Sequence, residues 1–483
     1  MIQIEEAVVK SQEQFKALQE YVRTAAERPS DAHVVEQGIW DRLLQLGQAF
    51  LTEYVARQGG GDVGETLTLS SGEQLPCVGL HTRRYVSVFG AVSIERMCYG
   101  RCKIEAVPLD ARLNLPPNEY SYLLQNWSQS FAVHDAYGET VVKVERLLHL
   151  GLSVRTLENL NRDIAKSVES FHEVQPRPDP ATEGALIVAA VDGKGVPVCR
   201  EKPKQDQGRH RRKKGEKANK KKMACVGAVY TIQPFCRTAD DVLNEVMRKK
   251  AQKQRPVPQN KHVQAHLIEG KDATFGWIAQ EVAARNPDGS RPLVCLCDGE
   301  KALWTAKAQH LEDAVEVLDL FHVTEKLWLA AHCFHSEDSP QAQQFVEHRL
   351  RMLLEGKVCW VIGGLGQMAT KHRLKGSPKK TLKKAVGYFQ HNKSRMRYDE
   401  YLEKGYPIGS GVVEGACRHL VKDRLERTGM RWTLQGAQAM LDLRAAYLND
   451  EWEPFWQHHI KRQNQLLYGQ IPPATLEQLS KAA

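Results

Sequence analysis

No run of about 18 apolar residues occurs in this chain, so the sequence offers no candidate for a membrane-spanning helix. The first residues, MIQIEEAVVKSQEQF, are acidic and polar and lack the order of a secretory signal. The 11 cysteines are odd in number and lack the regular spacing of a disulfide framework, which points to reduced thiols and a cytoplasmic protein. Cys98 and Cys102 form a lone pair, and the second pair that a structural zinc site needs is missing nearby. Acid is scarce where it matters most. Residues 368–397 carry 10 Lys/Arg and no Asp or Glu, and residues 200–222 carry 12 Lys/Arg against 3 acids. Because the whole chain carries +9, the rest has a net charge of about −10. Positive charge segregated in this way points to a polyanionic partner, with Lys213 and Lys214 as contacts in the first run. Either run alone would also suit a solvated loop; two in different parts of one chain favour nucleic acid.

What is present suits several domains. At 483 residues the chain is too long for one core, and 42% apolar with 26% charged residues is ordinary for a globular protein. Residues 1–60 show apolar residues at three- and four-residue steps and read as helices. Residues 61–118 alternate, with TLTLSSG and RRYVSVFGAVSIERMCYG reading as a hairpin or small sheet decorated by Arg83, Arg84, Arg96 and Arg101. Residues 119–180 read as a helix–turn–helix-like DNA-binding region, with a turn at His149–Leu152, Ser153 as N-cap and a Pro-rich linker at 173–184. An ordinary αα-hairpin has the same outline. The expected fold class is α/β: residues 181–323 form the first part of the core, 324–402 a helical insertion and 403–450 the last part. The tail 451–483 includes a polar end, 465–483, expected to be loosely held.

Three acids carry the chemistry. ALIVAAVD and RPLVCLCDG are short apolar runs, read as buried strands, that end in Asp192 and Asp298, each followed by Gly. A buried acid is costly unless paired or metal-bound. The third, Glu414, lies in GYPIGSGVVEGACRHLVKDRLERTGMRW (405–432), where a flexible Gly409-Ser410-Gly411 step leads into a helix from about Val412. Arg418 and Lys422 follow Glu414 at four-residue steps and share its helix face. An amphipathic helix with i,i+4 salt bridges has the same spacing. Three convergent carboxylates would instead supply hard ligands for two Mg²⁺ or Mn²⁺ ions. AVEVLDLFHV is read as one further strand, 314–323, ending in Asp319-Leu-Phe-His322.

VDGKGV (191–196), KKMACVGAVYTI (221–232), LDLFHVTEKLW (318–328) and the 405–432 block resemble the Kra-type family of bacterial insertion-sequence transposases, which is similar to the wider Mutator-like group of DDE transposases. FGAVSIER (89–96) and PLDARLNLP (108–116) add to the resemblance, which spans roughly residues 80–450. It implies an RNase H-like catalytic core, a DDE triad on Asp192, Asp298 and Glu414, and catalytic support from Asp319 and His322 as an Asp-x-x-His pair. Some members of that family carry a fuller, metal-like cysteine set around the place of Cys98 and Cys102, and this chain departs from that pattern. The implied activity is metal-dependent hydrolysis of DNA at an element end, then attack of the freed 3′-hydroxyl on target DNA. Arg418, Lys422, Arg424, Arg427 and Arg431 would grip phosphates, and Trp432 would either pack on the sheet, the preferred reading, or stack on an unpaired base. The implied partners are element-end and target DNA and a homodimer or higher oligomer, at the nucleoid. A domesticated DNA-binding protein and an RNase H-like nuclease are the alternatives.

Overall fold

The computed structural model describes residues 4–199, 221–247, 254–427 and 429–482. The expected contacts Lys213 and Lys214 lie outside the described residues. The chain divides into two compact units, residues 1–174 with 451–483, and residues 175–450. The boundary falls in the Pro-rich segment that the sequence marked as a linker.

The first unit opens with helices Ile4–Glu27 and Ala32–Arg57. A three-stranded antiparallel sheet follows: β1 (Thr66–Thr68), β2 (Gln74–Ser87) and β3 (Gly90–Tyr99). Gly90 supplies the left-handed φ of 128° at the β2–β3 turn. Two of the arginines on this sheet are structural rather than free for DNA: Arg83 and Arg96 each lie 2.8 Å from the buried carboxylate of Asp110. Helices Tyr137–Leu148 and Val154–Ala165 flank a turn in which His149 takes a φ of 54°, and Ser153 caps the second helix by accepting from Thr156 N at 3.0 Å. The C-terminal segment departs from expectation. Helices Trp452–Tyr468 and Pro473–Ala482 belong to this unit, with Phe455 and Trp456 buried. Ile471 sits in the core cluster of Leu67, Leu75 and Tyr99. A polar sequence at 465–483 hid two well-spaced apolar anchors, Ile471 and Leu479, which are 4% and 7% exposed.

The second unit is built on a mixed five-stranded sheet. Its strands are β4 (Leu186–Pro197), β5 (Lys221–Ile232), β6 (Gln259–His266), β7 (Leu293–Cys297) and β8 (Val315–Leu318). Their order is β6-β5-β4-β7-β8. The β4–β5 and β5–β6 pairs are antiparallel, whereas β4–β7 and β7–β8 are parallel. Residues Leu186–Val191 of central β4 are all buried, as a strand covered on both faces requires. Each of its large aliphatic side chains contributes about 1.5–3 kcal/mol on burial, enough to hold polar groups at the strand end. The sequence reading missed β6, whose alternation in KHVQAH is short.

β8 ends five residues earlier than expected. Asp319 is the N-cap of helix Leu320–Ala331, its carboxylate accepting from Phe321 N at 3.1 Å. His322 therefore lies in the first turn of a helix and not on a strand. Residues 324–402 are helical as expected, with principal helices Pro340–Leu354, Val358–Lys371 and Gly376–His391. Among the described residues no helix is long and apolar enough to cross a membrane.

Candidate metal centre

Strand register builds the site. In the parallel pairs Val191 lies opposite Cys297, and Cys297 opposite Leu318. The next residue on each strand is an acid, so Asp192, Asp298 and Asp319 form a row across β4, β7 and β8. β7 and β8 end there, while β4 runs on against β5, with Asp192 opposite Val226. Asp192 is thus mid-strand, not at the strand end the sequence suggested. It still stands at the edge of the parallel part of the sheet, where helical segments replace neighbouring strands.

Two of the three acids converge with an imidazole. Ligand atoms of Asp192, Asp298 and His322 all lie within 4.8 Å of one another, and all three residues are partly buried. Asp192 Oδ1 accepts from Gly193 N at 2.7 Å, and the buried Cys417 Sγ is 3.5 Å from Oδ2. Asp298 Oδ1 accepts from Glu300 N at 2.7 Å, while its backbone carbonyl accepts from Trp304 Nε1 at 2.8 Å. Burial pushes the Asp298 carboxyl above the usual range, and the negative charge of Asp192 adds to the rise against the Glu300 hydrogen bond and His322. Two carboxylates crowded in this way are poised for a cation, which removes the repulsion. Two oxygen donors and one nitrogen donor fit a divalent ion of the first transition row or Mg²⁺.

The other sequence candidates separate into distinct roles. Asp319 is only 1% exposed, and both its oxygens are engaged: Oδ1 accepts from Phe321 N and from Ser410 N at 3.2 Å, and Oδ2 from Ser410 Oγ at 2.5 Å. In the structure it is a clamp that holds the 405–411 turn to the end of β8. His322 Nε2 remains 3.8 Å from Asp319 Oδ2, so the clamp also adjoins the site. The Gly409-Ser410-Gly411 step is accordingly fastened rather than flexible, with Ser410 4% exposed.

Glu414 lies in the short helix Gly411–Ala416 that starts at this clamp, its N–H donating to Ser410 O at 3.0 Å. Residue Glu414 is exposed, yet its carboxyl feels the charge of the acids. Partial desolvation raises its pKa first, and the charges of Asp319 and Asp192 raise it further. It is not in the tight three-residue group, where His322 stands in the place the sequence gave to Glu414.

Beyond Glu414 the helix is not regular. Cys417–Lys422 forms a π turn before the short helical piece Asp423–Leu425. A π turn shifts the helical phase of the residues beyond it, so the common face expected for Glu414, Arg418 and Lys422 does not run unbroken. Arg418, Lys422, Arg427 and Arg431 are exposed, and Arg418 Nε is 3.7 Å from Asp423 Oδ1. Arg424 is a correction. It is 0% exposed, its guanidinium 4.9 Å from the centre of the Trp432 ring, and cannot reach a phosphate. Trp432 packs as expected: it is 7% exposed, donates from Nε1 to Leu425 O at 3.1 Å, and its backbone bridges to the end of β4.

Sequence reasoning passed over Ser410 as a clamp, Cys417 beside Asp192, and Trp304 and Tyr388 beside Asp298. Only Ser410 had a visible signal, as the polar residue within a Gly-Ser-Gly turn. Cys98 is buried and Cys102 exposed, both as free thiols. No protein-family model matches this chain, and no curated protein shows significant similarity to it.

Proposed function

We propose that this chain is a DDE-type transposase, an RNase H-like enzyme that cuts the ends of a mobile element and joins them to target DNA. The observation that carries the reading is the meeting of Asp192 and Asp298 on neighbouring in-register strands, with His322, within one 4.8 Å cluster. The sheet order, three antiparallel strands followed by two parallel ones, supports the RNase H-like assignment, as does a helical segment between the second Asp and the Glu.

Asp192, Asp298 and His322 would hold Mg²⁺ or Mn²⁺, with Glu414 completing a site for two ions. Bound there, the metal supplies Lewis-acid stabilisation of the phosphodiester and lowers the pKa of water. The protein's own groups do the positioning. The Gly193 and Glu300 N–H groups fix Oδ1 of Asp192 and of Asp298, and the Cys417 thiol adds a weaker contact to Asp192 Oδ2. The Ser410–Asp319 clamp sets where the Glu414 helix starts. Exposed Arg418, Lys422, Arg427 and Arg431 bind the DNA backbone, and the chain acts on DNA as a homodimer or higher oligomer.

The test is cleavage and strand transfer by the purified full chain on oligonucleotides bearing the ends of its genomic element, with Mg²⁺ or Mn²⁺. Asp192→Asn, Asp298→Asn and Glu414→Gln are expected to bind the ends and to lose both reactions by more than a hundredfold. Full activity in any one of them overturns the triad. Cleavage without joining makes the chain a nuclease, and binding without either reaction makes it a domesticated DNA-binding protein.

A further inference from the structure

A groove of about 1010 Å³ opens directly beside Asp298. Its walls are helix Lys301–His310, which follows the site aspartate, and helix Gly376–His391 of the helical segment. Lys301, Lys384, His391 and Arg395 line it together with Trp304 and Tyr388, and among the described residues no carboxylate does. Arg395 is held in place by Glu316 at 2.6 Å and lies 4.3 Å over the Trp304 ring. Lys301 and Lys384 are exposed, and no ion pair engages either among the described residues.

The groove meets the metal centre at Gly299. A side chain there would run into the Tyr388 ring and Asn392, so the second helix packs against the residue after Asp298 only because that residue is glycine. Whatever fills the groove therefore abuts the site.

The charge on the second helix is unfavourable for folding alone. Lys379 and Lys380 lie close to its N-terminus, against the macrodipole, Lys383 and Lys384 follow one turn on, and the helix carries no acid. Lys379–Lys383 and Lys380–Lys384 are like-charged i,i+4 pairs, each repulsive by a few tenths of a kcal/mol. Lys380, Lys384, Gly387 and His391 follow at four- and three-residue steps along one face, the one that includes the groove wall. An extended polyanion removes these repulsions; a small anion meets only one or two of the cations.

We infer that this groove holds the phosphate backbone of the nucleic-acid strand entering the Asp192–Asp298–His322 centre, with Lys301 and Lys384 as its direct phosphate contacts. The inference rests on the proposed function for the identity of the chemistry, and adds where the substrate lies.

The experiment uses the full chain and a fluorescein-labelled 30-base-pair duplex of arbitrary sequence, with EDTA present so that binding is read without cleavage. K301E/K384E is expected to weaken binding at least tenfold at 100 mM salt and to reduce the slope of log K against log salt by about 1.8, the loss of two phosphate contacts. K301R/K384R retains wild-type binding, and K357E/K404E, which changes net charge equally away from the groove, changes affinity less than threefold. K301Q/K384Q replaces the reversal variant should its melting temperature fall. Unchanged affinity and slope in the groove variants overturn the inference. Loss of binding to labelled poly-glutamate, with DNA binding intact, also overturns it by identifying an acidic protein partner. Cleavage by the unaltered chain with Mg²⁺ or Mn²⁺ is scored separately. Groove-dependent binding without cleavage refutes the enzyme and keeps the groove, whereas cleavage with groove-independent binding refutes only the groove.

Discussion

Ser410 Oγ donates to Asp319 Oδ2 at 2.5 Å, across 91 residues of sequence. This contact ties the last stretch of the second unit to the end of β8. It engages Asp319, which continues the same row of acids as Asp192 and Asp298 and stays 3.8 Å from His322 Nε2. It also fixes the start of the helix bearing Glu414.

Ser410→Ala removes one of three donors to a buried carboxylate and is expected to cost about 1–3 kcal/mol of stability. Because Glu414 is placed through this turn, catalysis should fall more than DNA binding does. Urea unfolding beside cleavage and binding assays checks both parts. Unchanged stability would show that the clamp is dispensable.

Arg424 and its neighbours separate by burial. Arg424→Ala removes a fully buried side chain packed over Trp432 and is expected to cost about 2–5 kcal/mol. Arg418→Ala and Lys422→Ala, both exposed, should stay within about 0.5 kcal/mol of the parent. Each should instead lower the salt dependence of DNA binding by about 0.9. Thermal melts and fluorescence anisotropy give the two readouts.

Gly299→Ala is expected to destabilise the second unit by about 1–3 kcal/mol, because the added methyl meets the Tyr388 ring. Tyr388→Ala in the same chain removes that clash. The double variant should then be more stable than the two single losses predict, a coupling measurable by a double-mutant cycle.

The first unit carries a pH dependence of its own. Burial first, and then the positive charges of Arg462 and His458, against the opposing charge of Asp163, lower the His459 pKa to about 4. Its Nδ1 lies 2.9 Å from Ser167 Oγ. Since the folded value lies below the unfolded one of 6.5, the unfolded chain binds the proton first as pH falls. The stabilisation is therefore complete above about pH 6.5 and lost on acidification toward 4, with a span of about 3 kcal/mol. Denaturant unfolding at pH 7, 5.5 and 4 should show His459→Gln losing less stability on acidification than the parent. Parallel slopes for the two proteins refute the assignment.

Local pattern in the sequence was enough for the secondary structure that local pattern controls. The apolar runs ending in Asp192 and Asp298 became buried strands, the alternating segment near Val92 a hairpin, and Ser153 a helix cap. The segregated charge was equally visible, since composition needs no fold. Long-range packing supplied the remainder. Only strand register places Asp192 beside Asp298, and only the early end of β8 lifts His322 on a helical turn to join them. Whether an acid binds or clamps depends on what lies opposite, and Ser410 is far away in the chain. Arg424 and Arg418 are the same residue type in the same run, and burial alone separates them. The tail after 465 was misread because two anchors, Ile471 and Leu479, suffice to hold a polar segment when a core is waiting for them. Such pairings are long-range, and a periodicity of three or four residues carries no information about them.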